Sequence, residues 1–280
     1  KPSRLHDPPL TRGVHWTRID YRRPPVWFRR KCQALLASSR APSRGVTPNA
    51  PSAPSAPEHD ELPPYLVPHS QESIHIVYED ADLLLIDKPH HLLSVPGRHP
   101  LNHDSLIRRL QPRFPDVHAV HRLDLDTSGI MVVPKHKVSL SELARQFQRR
   151  QIQKEYTAIL WGELTDDEGS VELPIATDWP NRPKQMICQV RGKKALTHFR
   201  VLKRSGNRTL IKLMPVTGRS HQLRIHMQSL GHPIIGCDMY AHDSALAASP
   251  RLLLHATRLK LCAPSTGDWI SAFTPIPFSL

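Results

Sequence analysis

Residues 121–129 read His-Arg-Leu-Asp-Leu-Asp-Thr-Ser-Gly, and the rest of the chain can be organised around them. Nine positions hold a cation, two carboxylates and a turn closed by glycine. A short apolar run precedes them, and Ile130-Met-Val-Val133 leaves them as a strand. A carboxylate beside Arg122 is favoured in its ionised form, because an adjacent opposite charge lowers its pKa. The turn is expected to push such side chains out of a sheet edge into a cleft.

Outward from that stretch, strands dominate. Ile74–Tyr78 alternates and Leu83–Ile86 is a continuous apolar run, the two split by the turn residues Glu79-Asp-Ala-Asp82. Lys154–Gly162, Ala195–Leu202, Thr209–Pro215 and Arg251–Leu261 read as further strands. Helical spacing is confined to Ser105–Leu110, to Ser139–Gln148 with Leu140, Leu143 and Phe147 on one face, and to Gln222–Leu230 after a turn at Gly218. Hairpin-like strand spacing with few helices predicts an α+β fold, a large mixed and mostly antiparallel sheet with flanking helices. A doubly wound parallel sheet needs regular alternation of the two element types.

The chain carries 38 Lys+Arg against 25 Asp+Glu, a net charge of +13 and a pI near 10. Such an excess supplies a phosphate-binding field and points to nucleic acid. No apolar run reaches the roughly 18–20 residues of a membrane span. Cys32, Cys188, Cys237 and Cys262 are scattered without a C-x-x-C pair. They fit free thiols in a reducing compartment and argue against a zinc knuckle or a disulfide framework.

Residues 1–70 hold 13 of the 28 prolines, among them Ala-Pro-Ser-Ala-Pro-Ser-Ala-Pro at 50–57, and 11 basic residues against 5 acidic ones. This composition cannot bury enough apolar surface to offset ordering entropy, so a disordered Pro/Arg-rich tail is expected over 1–70 and a folded domain over 71–280. All five methionines lie beyond Asp124. The expectation is therefore a true start downstream of Lys1, with residues 1–70 outside the native protein; an Arg-rich transit peptide is the alternative.

His121-Arg-Leu-Asp-x-x-Thr-Ser-Gly129 resembles the signature of the RluA family of pseudouridine synthases. Four other segments resemble its further motifs: Lys88-Pro to Pro-Gly97, Lys154-Glu-Tyr156, Gly218-Arg-Ser-His-Gln-Leu-Arg224 and Arg251-Leu-Leu-Leu-His-Ala256. The resemblance covers residues 72–280 and implies the pseudouridine synthase fold, with a central catalytic cleft that isomerises uridine in RNA. It implies Asp124 as the catalytic nucleophile, Arg224 as its ion partner and Tyr156 against the target base, where a ring stacks for about 1–3 kcal/mol. The chemistry calls for an ionised carboxylate in a water-excluding pocket and for no cofactor or metal. Asp126 holds a variable position of the signature and receives no role. Arg122 is a candidate to fill the gap left when a uridine leaves its helix, a step costing a few kcal/mol. His221 reads as a structural hydrogen-bonder.

Asp178-Trp-Pro-Asn-Arg-Pro-Lys-Gln185 is similar to the branch that modifies both 23S rRNA and the tRNA anticodon stem-loop. Trp179, Arg182 and Lys184 interleave an aromatic with cations and are candidate RNA contacts. One departure stands at Gly236-Cys-Asp238, where the family usually has Asp directly after Gly; it puts local anchoring of that loop in doubt. The expected partner is RNA, with no DNA or membrane partner, and the protein is expected to act as a cytoplasmic monomer in rRNA and tRNA processing. Two other readings compete. Asp124-Leu-Asp-Thr127 resembles the D-x-D-x-T nucleophile motif of haloacid-dehalogenase-type phosphatases, which needs Mg²⁺, a preceding strand and alternating β-α units; a non-catalytic RNA-binding module is the second.

Overall fold

A computed structural model describes residues 66–280. The apolar run Leu83–Ile86 is fully buried inside β2 (Leu83–Lys88), which pairs antiparallel with both β1 (His75–Glu79) and β3 (Ser128–Pro134). Burial on both faces is what a strand without alternation requires. β4 (Gln153–Trp161), β5 (Glu168–Glu172), β8 (Leu196–Ser205), β9 (Arg208–Pro215), β10 (Leu254–Cys262) and β11 (Trp269–Phe273) complete a nine-stranded sheet. Its order is β1-β2-β3-β10-β4-β9-β8-β5, with β11 paired to β10. β6 (Ile175–Thr177) and β7 (Gln185–Ile187) form a separate hairpin. The helices are α1 (Leu106–Leu110), α2 (Lys137–Gln148), α3 (Gln222–Ser229) and α4 (Asp243–Ala247).

The sheet is mixed and mostly antiparallel, as the strand spacing predicts. Its parallel pairing is short: β3 meets β10 through His255↔Ser128 and Ala256↔Gly129. Beyond Ala256 the strand parts from β3, and β11 pairs with it from Arg258 onward. No doubly wound β-α alternation exists among the described residues, and β3 follows the Asp124 motif where a phosphatase would need a strand before it. Both facts remove the phosphatase reading.

The register places the site. Gly129, Ala256, Tyr156 and Leu213 are successive neighbours across β3, β10, β4 and β9. Tyr156 therefore stands two strands from the start of β3, where the 121–129 turn ends. β9 runs out at Pro215, and the turn that follows leads into α3, whose Arg224 lines one cavity with Tyr156. Gly129 has φ +112°, and a Cβ there would lie 2.3 Å from Ala256 O. The glycine that closes the signature thus permits the close approach of β3 to β10.

The main core joins β2 and β3 to Leu92, Leu106, Ile107, Leu110, Leu123 and Leu143, so the signature's Leu123 is a core residue. The expected tail over 1–70 lies outside the described residues except for its last five. Of these, Val67 N donates to Asn102 Oδ1 at 2.9 Å, and Arg109 Nη2 donates to Ser70 O at 2.5 Å.

Candidate active site

Asp124 lies in the turn before β3, closed by a Thr127 N to Asp124 O hydrogen bond of 3.2 Å. Its carboxylate keeps 30 % of its surface exposed, while the facing Arg224 keeps 1 %. Arg224 Nη1 approaches Asp124 Oδ2 at 3.8 Å. The same guanidinium bonds Asp238 through Nη2 and donates to Cys237 Sγ through Nε at 3.2 Å. Burial works against its charge, but the neighbouring Cys237, Asp124 and Asp238 outweigh it and hold its pKa above the ordinary arginine value. The departure at Cys237-Asp238 is thus resolved: Cys237 is buried and both residues grip Arg224.

The cation at Asp124 is Arg224, not Arg122. Arg122 is exposed and forms no ion pair with any described residue. It stands on the rim of the same cavity of about 620 Å³, which Asp124, Tyr156, Arg224 and His221 also line. This volume is in the range that houses a small organic ligand, about 300–1,000 Å³. Burial, then the charge of Asp124, pushes the Tyr156 phenol above its ordinary pKa, so it stays protonated beside the carboxylate.

Tyr240 belongs to the site without being marked by any motif, and Lys154, inside the Lys154-Glu-Tyr156 segment, has no role in the sequence reading. Tyr240 OH pairs with His221 Nδ1 at 2.7 Å and accepts from Gln185 N at 2.8 Å, and the Arg224 guanidinium lies 5.4 Å from its ring. Burial pushes its phenol up to about 12. His221 is the hydrogen-bonder the sequence suggests, held at φ 53° at the start of α3. Lys154 lines the cavity, and burial lowers its pKa to about 8. Strand alternation marks it: residues 154 and 156 share one face of β4.

The Gln185–Tyr240 bond also ties the β6–β7 hairpin to the site. Trp179, Arg182 and Lys184 sit on that hairpin, away from the cavity wall, and the Arg182 guanidinium stacks 3.5 Å above the Trp179 ring. Around Asp124 the structure brings together Arg122, Tyr156 and Arg224; the three RNA-contact candidates form a second, exposed group. Among the described residues no three His, Cys, Asp or Glu side chains gather in a metal-binding cluster, and no helix is long and apolar enough to cross a membrane.

A family model described as RNA pseudouridylate synthase matches residues 82–229, which include Asp124, Tyr156 and Arg224. The dual-specificity RNA pseudouridine synthase RluA of Yersinia pestis is 49 % identical over 193 residues, 69 % of this chain and 94 % of that protein. Its namesake from Escherichia coli K12 is 46 % identical over 204 residues, 72 % of this chain and 93 % of that protein. The solved structure of human RNA pseudouridylate synthase domain containing 1 superposes with a TM-score of 0.64 at 30 % identity, covering 76 % of this chain and 87 % of the human one. With its fold, its motif-bearing cavity and these relatives in accord, the chain belongs to the RNA pseudouridylate synthases, isomerases that act on RNA.

Proposed function

We propose that the domain over 71–280 isomerises specific uridines in structured RNA, in 23S rRNA, the tRNA anticodon stem-loop or both, with Asp124 as nucleophile and the target base flipped into the cavity. The observation that carries this reading is the Asp124 carboxylate, half-open to a 620 Å³ cavity and faced at 3.8 Å by a buried guanidinium. The charge of Arg224 keeps a carboxylate reactive where RNA phosphates crowd in. In the isomerisation the bond from the ribose to N1 of uracil breaks and a bond to C5 forms. The C5 hydrogen leaves and a proton ends on N1, so nothing is added or lost. Asp124 supplies the nucleophile, the Tyr156 ring the platform for uracil, and Arg122 at the rim fills the vacated stack.

The choice of RNA follows from the Asp178–Gln185 segment and the relatives named dual-specificity synthases. The exposed Trp179–Arg182 stack offers a planar cation and an aromatic to unpaired bases. We further propose a cytoplasmic monomer that binds RNA and not DNA and needs no cofactor.

The test is release of label from uridine C5 in each RNA with a chelator present, comparing wild type with Asp124→Asn. The variant is expected to bind RNA normally and to lose isomerisation by more than about 10³-fold. Activity within tenfold of wild type sinks the nucleophile assignment, and an RNA that releases no label from C5 is removed as a substrate.

A further inference from the structure

We infer that Ser94 is a positioning residue for Asp124, acting through a two-point hydrogen bond to the backbone of Leu123. The Ser94 hydroxyl donates to Leu123 O at 2.8 Å and accepts from Leu123 N at 3.1 Å. One hydroxyl has a donor and two lone pairs, so a single atom serves both groups. Ser94 is 3 % exposed and Leu123 7 %, and this burial shields both bonds from solvent competition.

Ser94 is itself held in place. Ile107 N donates to Ser94 O at 3.4 Å and Leu106 N to Leu93 O at 2.7 Å. These are the first amides of α1, which have no partner inside their own helix. The loop therefore satisfies the helix start, and the helix fixes the loop. On the far side of Asp124, the buried Lys88 ammonium donates to Leu125 O at 3.3 Å, and to Pro89 O and Leu92 O at 2.7 Å each. Residues 88–94 thus hold the backbone on both sides of Asp124, while the carboxylate's ion-pair contact with Arg224 is a 3.8 Å approach. The direction of the carboxylate is then set by the backbone that carries it, and Ser94 supplies the contact immediately before it.

The inference rests on the proposed role of Asp124, and its test separates the two. Single-turnover isomerisation and RNA affinity are measured for Ser94→Ala and Ser94→Thr, with melting temperature recorded for each. Ser94→Ala is expected to slow the chemical step between about tenfold and about 100-fold, the loss typical of a misplaced reacting group, with RNA affinity unchanged. Ser94→Thr, which keeps the hydroxyl, is expected to restore most of that rate. Wild-type rate in Ser94→Ala overturns the inference, as does a loss of affinity in step with rate or a threonine no better than alanine. Amide hydrogen exchange of the unmutated protein gives a readout free of catalysis and of any folding defect. Leu123 N–H is expected to exchange as slowly as Val132 N–H, and rapid exchange overturns the clamp. An active Asp124→Asn protein with a protected Leu123 amide defeats the nucleophile assignment instead.

Discussion

Arg224 meets Asp124 with one guanidinium nitrogen, Nη1 to Oδ2 at 3.8 Å, while its other two nitrogens are held by Asp238 and Cys237. Three acceptors in three directions need the planar fork of arginine, which a lysine ammonium cannot reproduce. Opposite charges at about 4 Å attract by about 4 kcal/mol at an effective dielectric of about 20. Arg224→Met is therefore expected to slow single-turnover isomerisation by about 10²–10³-fold, and Arg224→Lys to recover only part of that. Full activity in Arg224→Lys would show that charge alone suffices.

Gly129 and Gly206 both have positive φ, but their surroundings differ. A Cβ on Gly129 would lie 2.3 Å from Ala256 O and 2.6 Å from Ala256 N, whereas one on Gly206 meets nothing within 4 Å. Gly206→Ala carries only the left-handed backbone penalty, about 1 kcal/mol. Gly129→Ala adds a backbone clash at the short β3–β10 pairing and is expected to cost about 3 kcal/mol or more in urea unfolding. Equal losses for the two variants would mean that the close approach at Gly129 relaxes freely.

These two sites show where sequence stops informing. Asp124, Tyr156 and Arg224 lie in local motifs, and the sheet with its connecting turns brings them to one cavity. Their supports are distant in sequence: Ser94 from Leu123, Tyr240 from His221, Cys237 from Arg224. No period or motif within one segment encodes such pairs. β5 (Glu168–Glu172) was illegible because only Val171 of its five residues is buried, leaving no apolar alternation. The helix predicted from Ser139 begins at Lys137 because His136 caps it, accepting from Ser139 N, and histidine is not among the usual capping residues. Arg251–Leu261 is a strand only from Leu254, since Leu253 instead exchanges hydrogen bonds with Ile159 and Ile235.

Acid should unfold the domain earlier than its carboxylates alone would dictate. Burial lowers the pKa of His121 to about 3 and of His255 to about 4. His121 Nε2 accepts from Val132 N, and His255 bridges Ser128 Oγ and Thr274 Oγ1, so both rings are held neutral. Both folded-state values lie below the unfolded value of about 6.5. The stability they contribute is therefore present above pH 6.5 and is lost as pH falls from 6.5 toward 4. At pH 5.5 the loss is about 1 kcal/mol for each ring. Urea midpoints measured between pH 5 and 8 should show this slope, and His255→Gln should reduce it by about half. A flat profile down to pH 5 rejects the assignment of neutral rings.

Arg122 and Arg182 should fail in different ways, because they occupy different surfaces. Arg182 stacks on Trp179 on the β6–β7 hairpin, outside the cavity; on the proposed function it meets RNA before any base has moved. Arg182→Ala should weaken all RNAs alike, and the salt slope of log affinity should fall by about one counterion. Arg122 stands on the cavity rim without an ion-pair partner among the described residues; on the proposed function it enters the stack once the uridine has left. Arg122→Ala should bind RNA almost normally, with an unchanged salt slope, and should slow the step after binding. A 2-aminopurine placed beside the target uridine reports that step by its fluorescence, separately from affinity. If the Arg122→Ala protein flips the base at the wild-type rate and loses only affinity, Arg122 is a phosphate clamp and the vacated stack is filled by another group.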